Sequence, residues 1–147
     1  MYAVVDVASY IFYRYQNEYG IKIDEMKLHK LLYYVQRESF IQNGEPFFNE
    51  RFQAWKFGPV MVEIRAHYKN NDFCKFDMNK EARCIVDKVF ENYARTRSWS
   101  LSMMSHEEFS WKNARKGIPE GINGNKFMSN DDIKIDAERV KKIRGII

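Results

Sequence analysis

The sequence predicts a mainly α, compact single-domain helical bundle with a small two-stranded β element. Three observations predict it. Apolar residues recur at helical spacing in one stretch after another, whereas apolar–polar alternation is confined to one short segment near residue 52. The length, 147 residues, is that of one domain and suffices to bury about two thirds of the surface exposed by the unfolded chain. Eleven Phe, nine Tyr and three Trp stand against seven Gly and three Pro, which excludes a disordered or low-complexity chain.

Val4, Ala8, Ile11, Tyr15 and Tyr19 place a first amphipathic helix over the opening twenty residues, ended by Gly20. Asp24 is a suitable N-cap for a second helix, Glu25 favours its first turn, and Gly44 stops it after about Asn43. Leu28, Leu31, Leu32, Val35 and Ser39 form its inward stripe. Tyr33, Tyr34 and Phe40 widen that stripe, which predicts the central helix of the bundle. Phe52 to Phe57 reads as a short strand stopped by Gly58 and Pro59, with Pro59 suited to the first turn of a following helix through Val60, Ile64 and His67 or Tyr68.

A helix over about Asn79 to Arg95 turns Ala82, Ile85, Val86, Val89, Phe90 and Tyr93 inward, with Cys84 on the same inner side. Ser98 or Ser100 is placed to cap a short helix through Leu101 and Met104, and a second short helix holds Trp111 to Arg115. Gly117 to Asn125 is the one substantial loop. Lys126 to Met128 reads as a brief strand pairing with Phe52 to Trp55. A final helix carries Ile133, Ala137, Val140 and Ile147 on one stripe, with Asp131 and Asp132 at its start and Lys141, Lys142 and Arg144 at its end, as the helix dipole favours.

Composition narrows the function classes. The formal charge of +4 comes from 24 basic against 20 acidic residues, interspersed rather than gathered into a phosphate-binding face, so nucleic acid is not indicated as a partner. The longest uncharged apolar run, Val7 to Tyr13, is far short of the ~20 residues of a membrane span. No basic segment precedes it, so no signal peptide is read, and Cys74 and Cys84 are expected as free thiols in a cytoplasmic protein. His106 begins a sequence like a zinc-protease helix, but Ser110 stands where the second ligand is needed. Gly117, Gly121 and Gly124 make no phosphate loop, and nothing near either cysteine activates a thiolate. No catalytic set, metal site or cofactor is expected, and the chain is read as a non-enzyme.

Two constellations stand out. Lys27, Lys30, Tyr34 and Arg37 recur along one side of the second helix, either as a solvated basic stripe or as a docking surface for an acidic partner. Trp55, Lys56, Phe57, Gly58 and Pro59 place large aromatics beside a tight turn, for which the plainer reading is architectural.

At these residues the sequence resembles a known family. Met26 to Gln36, MKLHKLLYYVQ, resembles the KLQKLLYYAQ helix of the SocA-like antitoxin domain, also called the Panacea domain or phage-associated GepA-like protein. Gly44 to Phe48 is similar to its G-x-P-L-F turn, Ala54 to Val60 to its AW-x-YGPV segment, and Leu101 to His106 followed by Trp111 to its LS-x-x-TH…PW region. Ser129 to Ile133 matches its closing S-x-E-x-I helix start. The chain departs from the pattern at His29, in place of Gln and expected on the surface, and at Ser110, in place of a rigid Pro before Trp111.

The resemblance implies a prophage-encoded or bacterial antitoxin that neutralises a cognate protein toxin by direct binding, with a AAA+ protease as a further partner for which the antitoxin acts as adaptor. It makes Lys27, Lys30, Tyr34 and Arg37 candidate contacts, with Trp55, Lys56, His106 and Trp111 as a second, more structural group. The rival class is a DNA-binding regulator of its own operon, or a phage-associated regulatory protein, distinguished by a steep salt dependence of operator binding.

Overall fold

A computed structural model describes residues 1–145 of the chain. It is mainly helical, with a two-stranded antiparallel sheet. Helix α1 (Val4–Tyr19) and helix α2 (Glu25–Asn43) stop where the sequence predicts, at Gly20 and Gly44, both left-handed with their N–H groups bonded back into the helix. Asp24 caps α2 by accepting the Lys27 N–H at 2.8 Å. Buried along nearly its whole length, α2 is the axis of the bundle. Helix α4 (Lys80–Tyr93), capped by Asn79, and helix α7 (Asn130–Ile143), capped by Ser129, pack on it together with α1 and helix α5 (Ser98–Ser105). The short helices α3 (Arg65–Asn70) and α6 (Phe109–Ala114) complete the shell, α6 against α7. Among the described residues no helix is long and apolar enough to cross a membrane.

The core takes most of the aromatic load: Tyr15, Tyr33, Phe48, Phe52 and Phe90 are all buried in one cluster. The second helix is flanked on every side, so its predicted outward side does not exist.

The sheet differs from the expected pairing. Strand β1 (Gln53–Trp55) pairs with strand β2 (Gly58–Val60) in a tight hairpin, Ala54 opposite Pro59. Pro59 is therefore a strand residue rather than the first residue of a helix. Its missing N–H costs the ladder nothing, because the Ala54–Pro59 pair points its polar groups outward. The Ala54 N–H donates to the Lys126 carbonyl and the Pro59 carbonyl accepts from Lys30. The expected strand Lys126 to Met128 does lie against β1, through the Gln53–Phe127 bridge and the Met128 N–H bonded to the Phe52 carbonyl, but too briefly to form a third strand.

Other expectations shift in detail. A 3₁₀ turn, Val62–Ile64, separates β2 from α3. Neither Ser98 nor Ser100 caps α5: the N-cap is Arg97, and the Ser98 hydroxyl donates instead to Asp24. Cys84 is exposed, since the inner side of α4 is filled by its neighbours Ile85 and Val86. Ile147, expected on the α7 stripe, lies outside the described residues.

Candidate functional site: the hairpin and its anchors

The side chains predicted from α2 are inside the molecule. Lys27, Lys30, Tyr34 and Arg37 are all buried, so the stripe as a whole is not a solvated face, although Lys30 lies at the floor of a cleft. The charged ends of Lys27, Lys30 and Arg37 instead find internal acceptors. Lys27 Nζ donates to the Ala94 carbonyl at 2.8 Å, fastening α2 to the end of α4. Lys30 Nζ donates to the Pro59 carbonyl at 3.0 Å, fastening α2 to the hairpin. Tyr34 stacks on Tyr93 with ring centroids 4.3 Å apart, and the Arg37 guanidinium lies over the Tyr34 ring.

Arg37 also pairs with Glu108, which accepts from Arg139 at 2.6 Å, so a buried carboxylate joins α2 to the start of α6 and to α7. Burial works against the charge of Arg37, but Glu108 and the surrounding tyrosine rings hold it protonated.

The second group, Trp55, Lys56, His106 and Trp111, comes together at the hairpin. Trp111 donates from Nε1 to the Trp55 carbonyl at 2.8 Å and stacks on His106 at 4.2 Å, nearly parallel. Burial, and then the charge on Lys30, push the His106 imidazole below its ordinary pKa. His106 Nε2 is buried without a hydrogen-bond partner among the described residues.

Ser110 is at the second position of α6, and both of its polar groups are used. Its N–H donates to Asp136 at 2.9 Å and its hydroxyl shares a hydrogen bond with Tyr33. A proline there could not donate, so the departure from the family pattern adds a tie to α7 rather than loosening the ground beneath Trp111.

Three further residues, none of them a predicted site residue, hold the hairpin down. Arg115 donates to the Ala54 carbonyl at 3.0 Å and to the Ile122 carbonyl, so it clamps β1 to the loop after α6. Ser102 donates to the Phe57 carbonyl at 2.6 Å. His29, expected at the surface, is buried: its Nδ1 accepts the Met61 N–H at 3.0 Å, which places its proton on Nε2 facing Glu25. That contact, then Arg65, draws the Glu25 carboxyl down to about 2. None of these anchors announces itself locally, because each meets the hairpin, or Met61 just after it, across 32 residues or more.

Gly58 marks how closely these parts meet. At φ +112° it adopts a backbone that other residues avoid, and a Cβ there would lie 2.4 Å from Ser105 Oγ and 2.7 Å from Lys30 Cε. The hairpin therefore lies flat against α2 and α5, and its turn, Lys56–Phe57, faces outward. Beside it is a groove of about 590 Å³ lined by Phe57, Trp99, Met103, His106, Trp111 and Lys56 among others. Trp99 is 57% exposed, Met103 51% and Phe57 41%. Trp99 meets Phe57 edge-on at 5.5 Å, so these side chains form one apolar patch rather than scattered exposures. Among the described residues no group of His, Cys, Asp or Glu side chains is placed to hold a metal ion.

Comparison with known proteins bears on this region. No solved structure matches the chain. A 40-residue stretch is 45% identical to the protein called Antitoxin SocA of Caulobacter vibrioides (strain NA1000 / CB15N), covering 27% of this chain and about a fifth, 21%, of that relative. The family model described as Antitoxin SocA-like, Panacea domain matches residues 28–112, a span that includes α2 from Leu28, the hairpin, α5 and Trp111. On that match over more than half of its length, the chain belongs to the SocA-like Panacea domain family.

Proposed function

We propose that this chain is an antitoxin that neutralises a cognate protein toxin by binding it, without catalysis, and that the patch around the hairpin turn is the contact face. The observation that carries this reading is the exposure of Trp99, Met103 and Phe57 around one groove within the span matched by the family. Interface cores are enriched in Trp, Met, Phe and Arg, and a few such anchors dominate binding energy. Lys56, His106 and Trp111 line this groove, and the Trp55 carbonyl holds Trp111 in place. Lys30 supports the hairpin from beneath, whereas Lys27, Tyr34 and Arg37 tie α2 to α4 and to the start of α6. Delivery of the bound toxin to a AAA+ protease is a further step of the same reading, to be followed as toxin half-life with and without the protease.

The test is rescue. The product of a neighbouring gene is expressed alone and together with this chain, and growth is measured. Toxicity relieved by the wild-type chain is the expected result; a neighbour that is harmless alone, or not relieved, overturns the antitoxin reading. The variant W99A/M103A changes exposed side chains only, so its stability should stay within about 1 kcal/mol of wild type. Loss of about 2 kcal/mol or more of binding, roughly thirtyfold, is expected. A folded double variant with full affinity would place the contact face elsewhere.

A further inference from the structure

A second cleft, of about 350 Å³, shares Lys56 and Phe57 with the groove but opens between α2, the hairpin and α3. Its walls include the apolar side chains of Met26, Trp55 and Val60, and its charged groups are Lys30, Lys56 and Arg65 against Glu25 alone. That carboxylate is already engaged by both His29 and Arg65. Asp24, the next nearest acid, is occupied by the Lys27 N–H and the Ser98 hydroxyl. Among the described residues Lys56 has no carboxylate in reach, and Lys30, 1% exposed, has one acceptor for its three N–H donors. A buried ammonium with so few acceptors is a group that an incoming anion would complete.

We propose that this cleft receives a carboxylate side chain carried beside an apolar residue on the protein partner, with Lys30 donating from its floor, Lys56 and Arg65 closing on it from the rim, and Trp55 and Met26 covering the apolar neighbour. The inference deepens the contact face proposed above and rests on that reading for the partner being a protein; the cleft's chemistry does not depend on it.

A consequence is proton uptake. Burial draws the Lys30 amine down to about 7, so near neutral pH a part of the free protein holds it uncharged. A carboxylate bound against it restores the proton, and binding therefore strengthens as pH falls from about 8 to about 6. Around Lys30 stand Asp24, Glu25, Lys56 and Arg65 with the imidazoles of His29 and His106. Glu25, drawn down to about 2, is ionised throughout that window, burial pushes both imidazoles below their ordinary value, and a free glutamate carboxyl titrates near 4.3.

The experiment is an NMR titration of the intact chain with the blocked dipeptide acetyl-Leu-Glu-amide, with acetyl-Leu-Gln-amide and acetate as comparators. The expected result is saturable shifts at the Lys30 Cε and the Trp55 indole. The neutral dipeptide and acetate should each bind at least about tenfold more weakly, and the Lys30 midpoint should rise by about one pH unit in the complex, the linked equivalent of a tenfold ratio. Equal binding of the Gln and Glu dipeptides, equal binding of acetate, or shifts confined to exposed lysines such as Lys112 would each overturn the proposal.

Lys30→Met should abolish the response, and Lys56→Gln, which alters a side chain outside the core, should weaken it about threefold. Wild-type binding by both variants would likewise overturn it. The titration needs no toxin, so it reports on the cleft even if the rescue experiment fails, and rescue reports on the partner even if the titration fails.

Discussion

Lys30 brings a charge to the junction of α2 and the hairpin and meets one carbonyl there. Its folded value near 7 against 10.5 when unfolded means that, between these limits, the unfolded chain holds more protons. Stability therefore rises with pH across that window, and the full penalty applies below about pH 7. Lys30→Met removes this penalty, about 1.4 kcal/mol for each pH unit that separates the folded and unfolded values, and loses a hydrogen bond worth about 1 kcal/mol. A net gain of about 3 kcal/mol near pH 7 is expected, together with a flatter stability profile between about pH 7 and 10. Urea unfolding of both proteins at two pH values checks this; parallel profiles would show that Lys30 keeps its ordinary pKa.

At the scale of the element, the hairpin is a two-stranded piece too small to be stable alone. It is held because its outward-pointing carbonyls meet Lys30, Arg115 and Ser102. Gly58 is the position where that docking tolerates no side chain. Gly58→Ala combines a disallowed φ with overlap on Ser105 and Lys30, and a cost of about 3 kcal/mol or more is expected, seen as a melting temperature lower by about 10 °C. Adding Ser105→Ala removes the closest overlap and should recover part of the loss. If it recovers none, backbone strain rather than contact sets the cost. Two-dimensional NMR of the Trp55 indole would show whether the hairpin has lifted.

At the scale of the molecule, polar ties across the bundle define how the helices seat on α2. Arg37, Glu108 and Arg139 join α2, α6 and α7, and Asp136 of α7 gathers the N–H groups of Phe109 and Ser110 with the Tyr33 hydroxyl. Arg144 forks onto both oxygens of Glu38 at about 3 Å, tying the end of α7 to α2. Removing one member of the buried pair leaves an unmatched charge. Arg37→Met is expected to cost about 3–5 kcal/mol, and the double variant R37M/E108L to recover more than half of it. A double-mutant cycle in urea measures the coupling; simple additivity would show that the pair contributes little to the seating of α6.

How much of this was legible beforehand follows from the range of the interactions. The boundaries of α1 and α2, the cap at Asp24 and the inward stripe of α4 follow from residues within one or two turns of each other, so the sequence alone determines them. It also determines the family, through motifs that sit on α2 and the hairpin. The environment of α2's charged residues was not legible. Lysine and arginine side chains usually mark a solvated face, and only the packing of α4, α5, α7 and the hairpin around α2 converts them into internal ties. Likewise, alternation located β1 but not its partner, because a proline can end one element or, with its carbonyl turned outward, belong to the next. The sequence thus specified a helical domain of known family, whereas the tertiary structure decided which basic and aromatic residues are buried supports and which, around Trp99, Phe57 and Lys56, border an open groove. Exposure is a property of the whole packed assembly and has no local sequence signature.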